Sequence, residues 1–200
     1  NGGEMPLDYR MRNTAGRWGG GFQFDNIGVA PVLIRNCLIA RNASVDQGGG
    51  ISCFAANALI ESCTVVSNSA GNGQGSYPPL GGGGLWRSNG GTVGITNTIV
   101  YFNATPLGTN VSGTFVAGYS CAPDLTAGVN GNRTNDPAFT DLAGGDHGLL
   151  RNSPCINAGA NLAWMVGATD LGRVNPRIAR GTVAMGAYES TSLRGTVICI

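Results

Sequence analysis

Short apolar segments that alternate with polar residues recur along this chain, and each follows a cluster of glycines. The clusters begin at Gly19, Gly48 and Gly81. A second segment of one pattern follows each cluster, at residues 32–44, 58–70 and 93–105. A period of two over a few residues predicts β-strands. No stripe with helical spacing runs through a unit, which excludes ankyrin-type and other helical repeats.

Alignment of the three segments places like residues at like positions. Cys37 aligns with Cys63 and Thr98, and the aligned asparagines are Asn42, Asn68 and Asn103. The first step is 26 residues (63−37) and the second is 35 (98−63), because the insertion GNGQGSYPP precedes the third glycine cluster. Asn13 marks an earlier, incomplete copy. The repeat therefore predicts that successive units stack with equivalent side chains over one another.

Stacked units of short strands predict an all-β fold, a single-stranded right-handed parallel β-helix with an irregular C-terminal cap. We expect the coils at residues 1–118, with the first coil incomplete, a terminal coil and cap at 119–190, and a tail at 191–200. The expected inner ladders are Phe22, Ile51 and Leu85, and Ile39, Val65 and Val100. The asparagines form a ladder at a corner, where amides bond the turn backbone and each other. Cys37 and Cys63 form a ladder of buried thiols.

Composition narrows the range of functions. The net charge is +1 and every basic residue is an arginine, so neither a nucleic acid nor an anionic membrane is an expected partner. The absence of lysine excludes a lysine base or Schiff base. No apolar run reaches about 18 residues, so no membrane span is expected. The chain starts at Asn1 inside the repeat, as expected of a processed or truncated piece of a longer precursor.

The glycine-led strand followed by an asparagine corner resembles the repeats of right-handed β-helix proteins, including pectate-lyase-like proteins. Two terminal motifs, NDPAFTDLAGGDHGLLRNSPCINAGAN (135–161) and TDLGRVNPRIARGTVAMGAYE (169–189), resemble the terminal region of the bacterial choice-of-anchor Q surface proteins. Gly172 and Val174 replace the usual Asp-Gly spacing of that family, and Ala184 stands where an acid is common. The resemblance implies export, a β-helix and a C-terminal anchoring segment, and it implies no defined reaction.

The remaining cysteines differ in position. Cys121 and Cys155 lie in irregular segments outside the repeats, which favours a disulfide that ties the last strand to the terminal cap in an exported chain. Closing this loop of 34 residues (155−121) would stabilise the fold by roughly 3–4 kcal/mol. Cys53 is expected in the core, and Cys199 has no evident partner. The lack of a C-x-x-C motif argues against a zinc site.

Three acids cluster in the terminal segment beside His147, namely Asp136, Asp141 and Asp146. Their carboxylates could ligate calcium, the only cofactor that the sequence suggests. The spacing favours the alternative that Asp136, before Pro137, and Asp146, between glycines, form turns. His147 is then a packed or solvent-edge strand residue rather than a base.

The candidate binding residues are Trp18, Tyr77, Trp86 and Arg87. If Leu85 points into the core, strand alternation turns Trp86 outward. Exposed rings beside the insertion could stack on sugars or contact a protein partner. The alternative, which we weigh equally, is that the insertion folds over the rings and buries them.

Acids are scarce in the repeats, where Asp25, Asp46 and Glu61 are the only carboxylates and none aligns with another. Glu61 aligns with Arg35 and predicts a surface ion pair. We therefore favour a non-catalytic, secreted or cell-surface scaffold or adhesin-like module that binds a polysaccharide or a cell-surface protein, and we assign no catalytic residue. The runner-up is a carbohydrate-active enzyme such as a calcium-dependent polysaccharide lyase, which rests on fold analogy. A second alternative is self-assembly through the open end of the β-helix.

Overall fold

The computed structural model describes residues 13–26, 28, 30–71, 81–106, 108–178 and 181–190. Tyr77, Cys199, the predicted tail and the start of the predicted first coil lie outside these residues. Within them the regular elements are β-strands and two single 3₁₀ turns, Val129–Gly131 and Ala163–Met165. No helix in this part of the chain is long and apolar enough to cross a membrane.

The strands are short and group into three parallel sheets. In chain order they are β1 (Thr14–Ala15), β2 (Phe22–Asp25), β3 (Val32–Arg35), β4 (Leu38–Ala40), β5 (Ala43–Ser44), β6 (Ile51–Phe54), β7 (Ala58–Glu61), β8 (Thr64–Val66), β9 (Leu85–Ser88), β10 (Val93–Thr96), β11 (Ile99–Tyr101), β12 (Val111–Ser112), β13 (Val116–Gly118), β14 (Phe139–Asp141) and β15 (Asp146–Leu149). Sheet 1 has the order β12-β9-β6-β2, sheet 2 the order β13-β10-β7-β3, and sheet 3 the order β11-β8-β4. In addition, β1 pairs in parallel with β5, and β14 pairs antiparallel with β15.

The register of the sheets follows the sequence repeat. We call the successive sets of strands rungs: rung 1 is β2, β3 and β4, rung 2 is β6, β7 and β8, rung 3 is β9, β10 and β11, and rung 4 is β12 and β13. The Cα partners include Phe22, Ile51 and Leu85 in sheet 1 and Ile39, Val65 and Val100 in sheet 3. Phe22 is 41% exposed on the end strand, so its expected place in the inner ladder is wrong. The predicted all-β fold with parallel strands is confirmed.

A residue in the left-handed region follows each strand of sheet 2. These residues have φ of 49 to 52° and are Asn36, Ser62, Asn97 and Tyr119. One residue of this conformation turns the chain sharply, and asparagine tolerates it better than most residues with a side chain. The recurring turn brings equivalent side chains of successive rungs to the same corner.

The glycine clusters before sheet 1 have a different cause. A Cβ at Gly20 would overlap the carbonyl oxygens of Gly49 and Ala43, and a Cβ at Gly49 would overlap that of Ser69. Backbone therefore packs directly on backbone at this corner, and a residue with a side chain would separate the rungs.

Two apolar clusters hold the described chain together. The inner cluster lies between the three sheets and includes Ile51, Leu85, Ile60, Ile95, Val65 and Val100. The outer cluster joins the outer face of sheet 3 to the C-terminal part of the chain and includes Val66, Ile99, Cys155, Ile156 and Met185. The region predicted as a cap thus has two parts. We call residues 122–133, which bond to rung 4, the closing segment, and residues 137–189, which lie along sheet 3, the side segment.

Candidate functional site

The aligned asparagines lie on successive rungs at the corner after sheet 3. Asn68 Oδ1 accepts hydrogen bonds from the N–H and Nδ2 of Asn42 (2.9 and 3.0 Å), and Asn103 Oδ1 accepts the same pair from Asn68 (both 2.9 Å). Asn110 continues the ladder, because its Oδ1 accepts from the N–H and Nδ2 of Asn103 (2.8 and 3.2 Å). Sequence alignment missed Asn110, which follows Asn103 by only seven residues. These amides serve the fold and are not available to a ligand.

A second column of polar side chains runs along the corner after sheet 2. Cys37 and Cys63 lie on successive rungs of this corner, and their thiols donate to backbone carbonyl oxygens, Cys37 to that of Arg35 (2.9 Å) and Cys63 to that of Glu61 (3.3 Å). Thr98 Oγ1 accepts from the Cys63 N–H (3.3 Å), and Ser120 Oγ accepts from the Thr98 N–H (3.1 Å). Asn132 Oδ1 then accepts from the Ser120 N–H (3.1 Å). Ser120 and Asn132 belong to no visible repeat, so no sequence pattern indicated their place in this column.

The closing segment satisfies part of the backbone at the end of rung 4. Asp124 Oδ2 accepts the N–H groups of Asn110 (2.8 Å) and Val111 (2.9 Å). The corresponding N–H groups of earlier rungs donate to carbonyl oxygens of the next rung. The Tyr119 N–H donates to the Asn130 carbonyl oxygen (2.8 Å). Asp124 thus replaces a fifth rung at one corner, while β12 and β13 remain end strands of their sheets in the described chain.

A groove of about 430 Å³ lies between rung 4 and the closing segment. Its apolar lining includes Val111, Phe115 and Leu125, which also pack against the inner cluster. Its polar lining includes Thr114, Asp124, Thr126 and Asn130. The volume falls within the range of about 300–1,000 Å³ that is common for small-ligand sites. An apolar floor with a polar rim makes this groove the candidate binding site.

The tryptophans suggested as a binding platform are packed instead. Trp86 lies on the outer side of sheet 1, as alternation requires, but it is only 5% exposed, so the buried alternative is the one observed for this ring. Trp18 is half-buried and stacks on Phe54, with 6.0 Å between ring centroids and 5° between ring planes. The Arg17 guanidinium lies 4.9 Å from the Trp18 ring centroid. Large rings on a sheet gain more from burial than from exposure to water.

Arg87 does not lie on the outer side of sheet 1 either. It pairs with Cys53, which is in the inner cluster, and therefore points to the inner side of sheet 1. Its guanidinium donates to the carbonyl oxygen of Gly91. Tyr77, the remaining candidate of this group, lies outside the described residues.

The three terminal acids bond to their own turns. Asp136 Oδ1 accepts the Ala138 N–H (2.7 Å), Asp141 Oδ1 accepts the Gly144 N–H (2.8 Å), and Asp146 Oδ1 accepts the Gly148 N–H (2.9 Å). No group of three or more His, Cys, Asp or Glu side chains that could hold a metal ion occurs among the described residues. The geometry at these acids is that of turns.

His147 is a packed strand residue. It is buried, and its ring meets the Phe139 ring edge to face, with 5.8 Å between centroids. Burial and the nearby Arg41 guanidinium lower the pKa of His147. Its lowered pKa keeps the imidazole neutral near pH 7.

Cys121 and Cys155 meet in the outer cluster as free thiols. Cys121 Sγ donates to the Asn135 carbonyl oxygen (3.2 Å), and the neighbouring Cys155 together with burial raises the pKa of Cys121. The predicted disulfide is therefore not formed in this structure. Packing and hydrogen bonds, rather than a covalent bond, join the side segment to sheet 3 here.

Acids and an arginine of the terminal motif form a buried ionic cluster. The Arg177 guanidinium is 0% exposed, lies 3.3 Å from Glu189 Oε1 and donates to the Gly186 carbonyl oxygen (3.1 Å). Asp170 Oδ2 accepts the Glu189 N–H (3.2 Å). Burial raises the pKa of Glu189 to about 7 and lowers the pKa of Arg177. The cluster is closed to solvent, so it fastens the side segment and does not form an open active site.

Neither a family model, a curated protein nor a solved structure matches the chain. The resemblance to choice-of-anchor Q surface proteins therefore stays a prediction. The groove beyond rung 4 is a place where the described chain offers both volume and polar groups to a ligand.

Proposed function

We propose that the chain is a right-handed parallel β-helix of a secreted or cell-surface protein related to the choice-of-anchor Q family. Three parallel sheets around one inner cluster support the fold, because the chain passes from sheet 1 to sheet 2 to sheet 3 in each complete rung. Crossovers between parallel strands of one sheet are right-handed in about 98% of cases, which supports the handedness. The two terminal motifs support the family and the export.

The proposed activity is non-catalytic binding of a glycan in the groove. The observation that carries it concerns the acids. The described residues hold nine of the eleven acidic residues, all but Glu4 and Asp8, and each of the nine carboxylates contacts a backbone N–H, a side-chain amide or an arginine. Cleavage of polysaccharides needs carboxylates directed at the substrate or at a calcium ion. Engagement of these acids within the fold supports binding rather than cleavage.

The lining of the groove supports a neutral sugar as the ligand. Phe115 and Val111 offer apolar surface to the C–H face of a sugar ring, and the hydroxyls of Thr114 and Thr126 can hydrogen-bond its hydroxyl groups. The net charge of +1 gives no general attraction for an acidic polymer.

Titration of the full chain with a panel of neutral oligosaccharides, followed by calorimetry and NMR, tests this proposal. We expect shift changes at residues of the groove and a Kd about thirtyfold higher for the double variant Thr114→Ala/Thr126→Ala, since each lost hydrogen bond contributes about 1 kcal/mol. Thr140→Ala, an exposed threonine of β14, is the matched control and should bind like the unaltered chain. Equal binding by the double variant, or no binding of any sugar, would contradict the proposal.

A second assay distinguishes the enzyme alternative from non-catalytic binding. Incubation with uronic-acid polysaccharides, with and without calcium, is followed by the absorbance of unsaturated products. We expect no product under either condition. Product formation that a chelator abolishes would overturn the non-catalytic proposal in favour of a lyase.

A further inference from the structure

Two Asn-Gly pairs lie in the described chain, in different surroundings. Asn89-Gly90 lies at the corner between β9 and β10, and Asn130-Gly131 lies in the closing segment. The pairs Asn1-Gly2 and Asn72-Gly73 lie outside the described residues. An asparagine before glycine is prone to deamidation, because glycine has no Cβ that would keep its nitrogen away from the preceding side chain. The two described pairs can therefore undergo the same reaction, and their surroundings decide how fast it is.

Both asparagines start from the same backbone conformation. Asn89 has a φ of 56° and Asn130 has a φ of 50°, so both are in the left-handed region. In this region the nitrogen of the next residue points away from the asparagine Cβ. The main chain must therefore rotate before that nitrogen can reach the side-chain Cγ. The hydrogen bonds that oppose this rotation control the rate.

Few contacts oppose the rotation at Asn89. Asn89 and Gly90 are both exposed, and a Cβ added at Gly90 would meet no atom within 4 Å. Asn89 Oδ1 accepts a hydrogen bond from the Ser88 hydroxyl (3.3 Å) at the surface. In the described chain the Gly90 N–H donates no hydrogen bond. The reacting nitrogen at this corner is therefore free of an acceptor that would have to be displaced.

The closing segment holds Asn130 on both sides of its side chain. The Asn130 carbonyl oxygen accepts the Tyr119 N–H (2.8 Å), and Asn130 Nδ2 donates to the Ala117 carbonyl oxygen (3.3 Å). The Gly131 N–H donates to the Gly128 carbonyl oxygen (3.4 Å). A Cβ at Gly131 would lie 2.8 Å from Tyr119 Cδ1, so the ring packs on this glycine. Each hydrogen bond that must open slows the attack by about fivefold.

We propose that Asn89 is a site of spontaneous deamidation and that the fold protects Asn130 from the same reaction. The Gly90 nitrogen attacks Asn89 Cγ, so that an N–C bond forms and the bond from Cγ to Nδ2 breaks. Ammonia leaves with the proton that the Gly90 nitrogen loses. Water then opens the resulting succinimide at either of its two carbonyl carbons, which gives aspartate or isoaspartate at position 89.

The two positions differ in what a new carboxylate would do to the groove. Asn130 lines the groove, so deamidation there would add a negative charge to the candidate binding site. Asn89 does not line the groove. The proposal therefore separates a surface that changes with time from a binding site that keeps its charge, and it does not depend on whether the groove binds a sugar.

Incubation of the full chain at mildly alkaline pH tests the proposal. Peptide mass mapping at successive times gives the rate at each asparagine, and fragmentation by electron transfer distinguishes isoaspartate from aspartate. We expect deamidation at Asn89 to be at least about tenfold faster than at Asn130. In urea that unfolds the chain, the two rates should agree within about twofold, because each asparagine then precedes a glycine without folded contacts.

The variant Asn89→Gln is the control for the assignment. It should remove the product at position 89, because a glutamine side chain would have to close a larger ring, and it should leave the rate at Asn130 unchanged. Circular dichroism checks that the variant is folded.

Three results, none of which needs a variant, would overturn the proposal. The first is equal rates at Asn89 and Asn130 in the folded chain. The second is a difference that persists in urea, because the fold would then not be its cause. The third is deamidation at Asn89 that occurs in urea and not in the folded chain, because the corner would then protect Asn89 as well.

Discussion

The repeat stack and the side segment satisfy their buried polar groups in opposite ways. In the stack, Asn42, Asn68 and Asn103 are buried and bonded to each other, one on each rung. In the side segment, Arg177 and Glu189 are buried as a single ionic pair. A column of amides spreads many modest hydrogen bonds over several rungs, whereas the pair concentrates the cost of desolvation in one place.

The two regions also meet through polar atoms. Asn97, at a corner of sheet 2, accepts the Gly186 N–H at its carbonyl oxygen (2.7 Å) and the Ala160 N–H at Oδ1 (2.7 Å). Thr64 Oγ1 accepts the Ala187 N–H (3.0 Å). The corners that turn the stack therefore also bind the side segment. We infer that the asparagine ladder, which has no titratable group, is insensitive to pH near neutrality, while the ionic cluster makes the attachment of the side segment respond to pH.

Removal of the buried arginine should have the largest effect. Arg177→Ala leaves the Glu189 carboxylate buried without its counter-ion, and we expect a loss of about 3–5 kcal/mol in the free energy of unfolding. Urea unfolding followed by circular dichroism measures it. Arg133→Ala, at an exposed arginine of the closing segment, is the control and should change stability by less than about 0.5 kcal/mol. If Arg177→Ala lowered the free energy of unfolding by less than about 1 kcal/mol, the ionic pair would not concentrate stability in the side segment, and the proposed difference between the two regions would be wrong.

The pH dependence of stability should isolate Glu189. Its folded pKa of about 7 exceeds the ordinary value of 4.5, so between these values the folded chain holds a proton that the unfolded chain releases. The contribution of Glu189 is therefore greatest at the acid end of this window and falls as the pH rises, by up to about 3 kcal/mol. Glu189→Gln should lack this slope.

The stability of Glu189→Gln must be measured beside that of the unaltered chain at every pH. The reason is that His147 changes stability with pH in the direction opposite to Glu189. The lowered pKa of His147 makes the folded chain less stable as the pH falls below 6.5. His147 is present in both chains, so the difference between their unfolding free energies leaves the Glu189 slope. Parallel curves for the two chains would show that Glu189 does not titrate in this window.

A break in the asparagine ladder should have an intermediate effect. Asn68→Ala removes an amide that accepts from Asn42 and donates to the Ile39 carbonyl oxygen and to Asn103. We expect a loss of about 2–3 kcal/mol, since buried partners are left without a bond. The loss should be the same across the window in which Glu189 titrates. Asn152→Ala, at an exposed asparagine, should leave stability nearly unchanged, and a similar loss in both variants would argue against a special role of the ladder.

The surface pair between neighbouring rungs should have the smallest effect. Arg35 Nε donates to Glu61 Oε2 (2.6 Å), and the arginine side chain is 38% exposed. A double-mutant cycle with Arg35→Ala and Glu61→Ala should give a coupling of about 0.5–1 kcal/mol that weakens with added salt. Arg35→Ala alone should cost more than the coupling, because its guanidinium also lies 5.3 Å from the Trp164 ring centroid of the side segment. A coupling above about 2 kcal/mol would show that this surface pair contributes as much to stability as a buried ionic pair, which contradicts the prediction.

Much of the stack was predictable because its determinants recur. Cys37 and Cys63 share a corner since their spacing equals that of the whole unit, and the same holds for Asn42 and Asn68. The prediction about Trp86 was less complete. Alternation gave its side of the sheet, but burial depends on what covers that side, which alternation does not encode.

The sequence alone determined the strands of the three aligned units, their parallel pairing in register, and the corner positions shared by Asn42, Asn68 and Asn103. These features follow from a two-residue period, from glycines where backbones touch, and from a repeat that places equivalent side chains over one another. Only the tertiary structure decided that the side segment lies along sheet 3, that Asp124 closes rung 4, and that Arg177 and Glu189 meet out of water. Each of these contacts joins residues that do not occupy equivalent positions of a repeat, so no pattern along the chain predicts them.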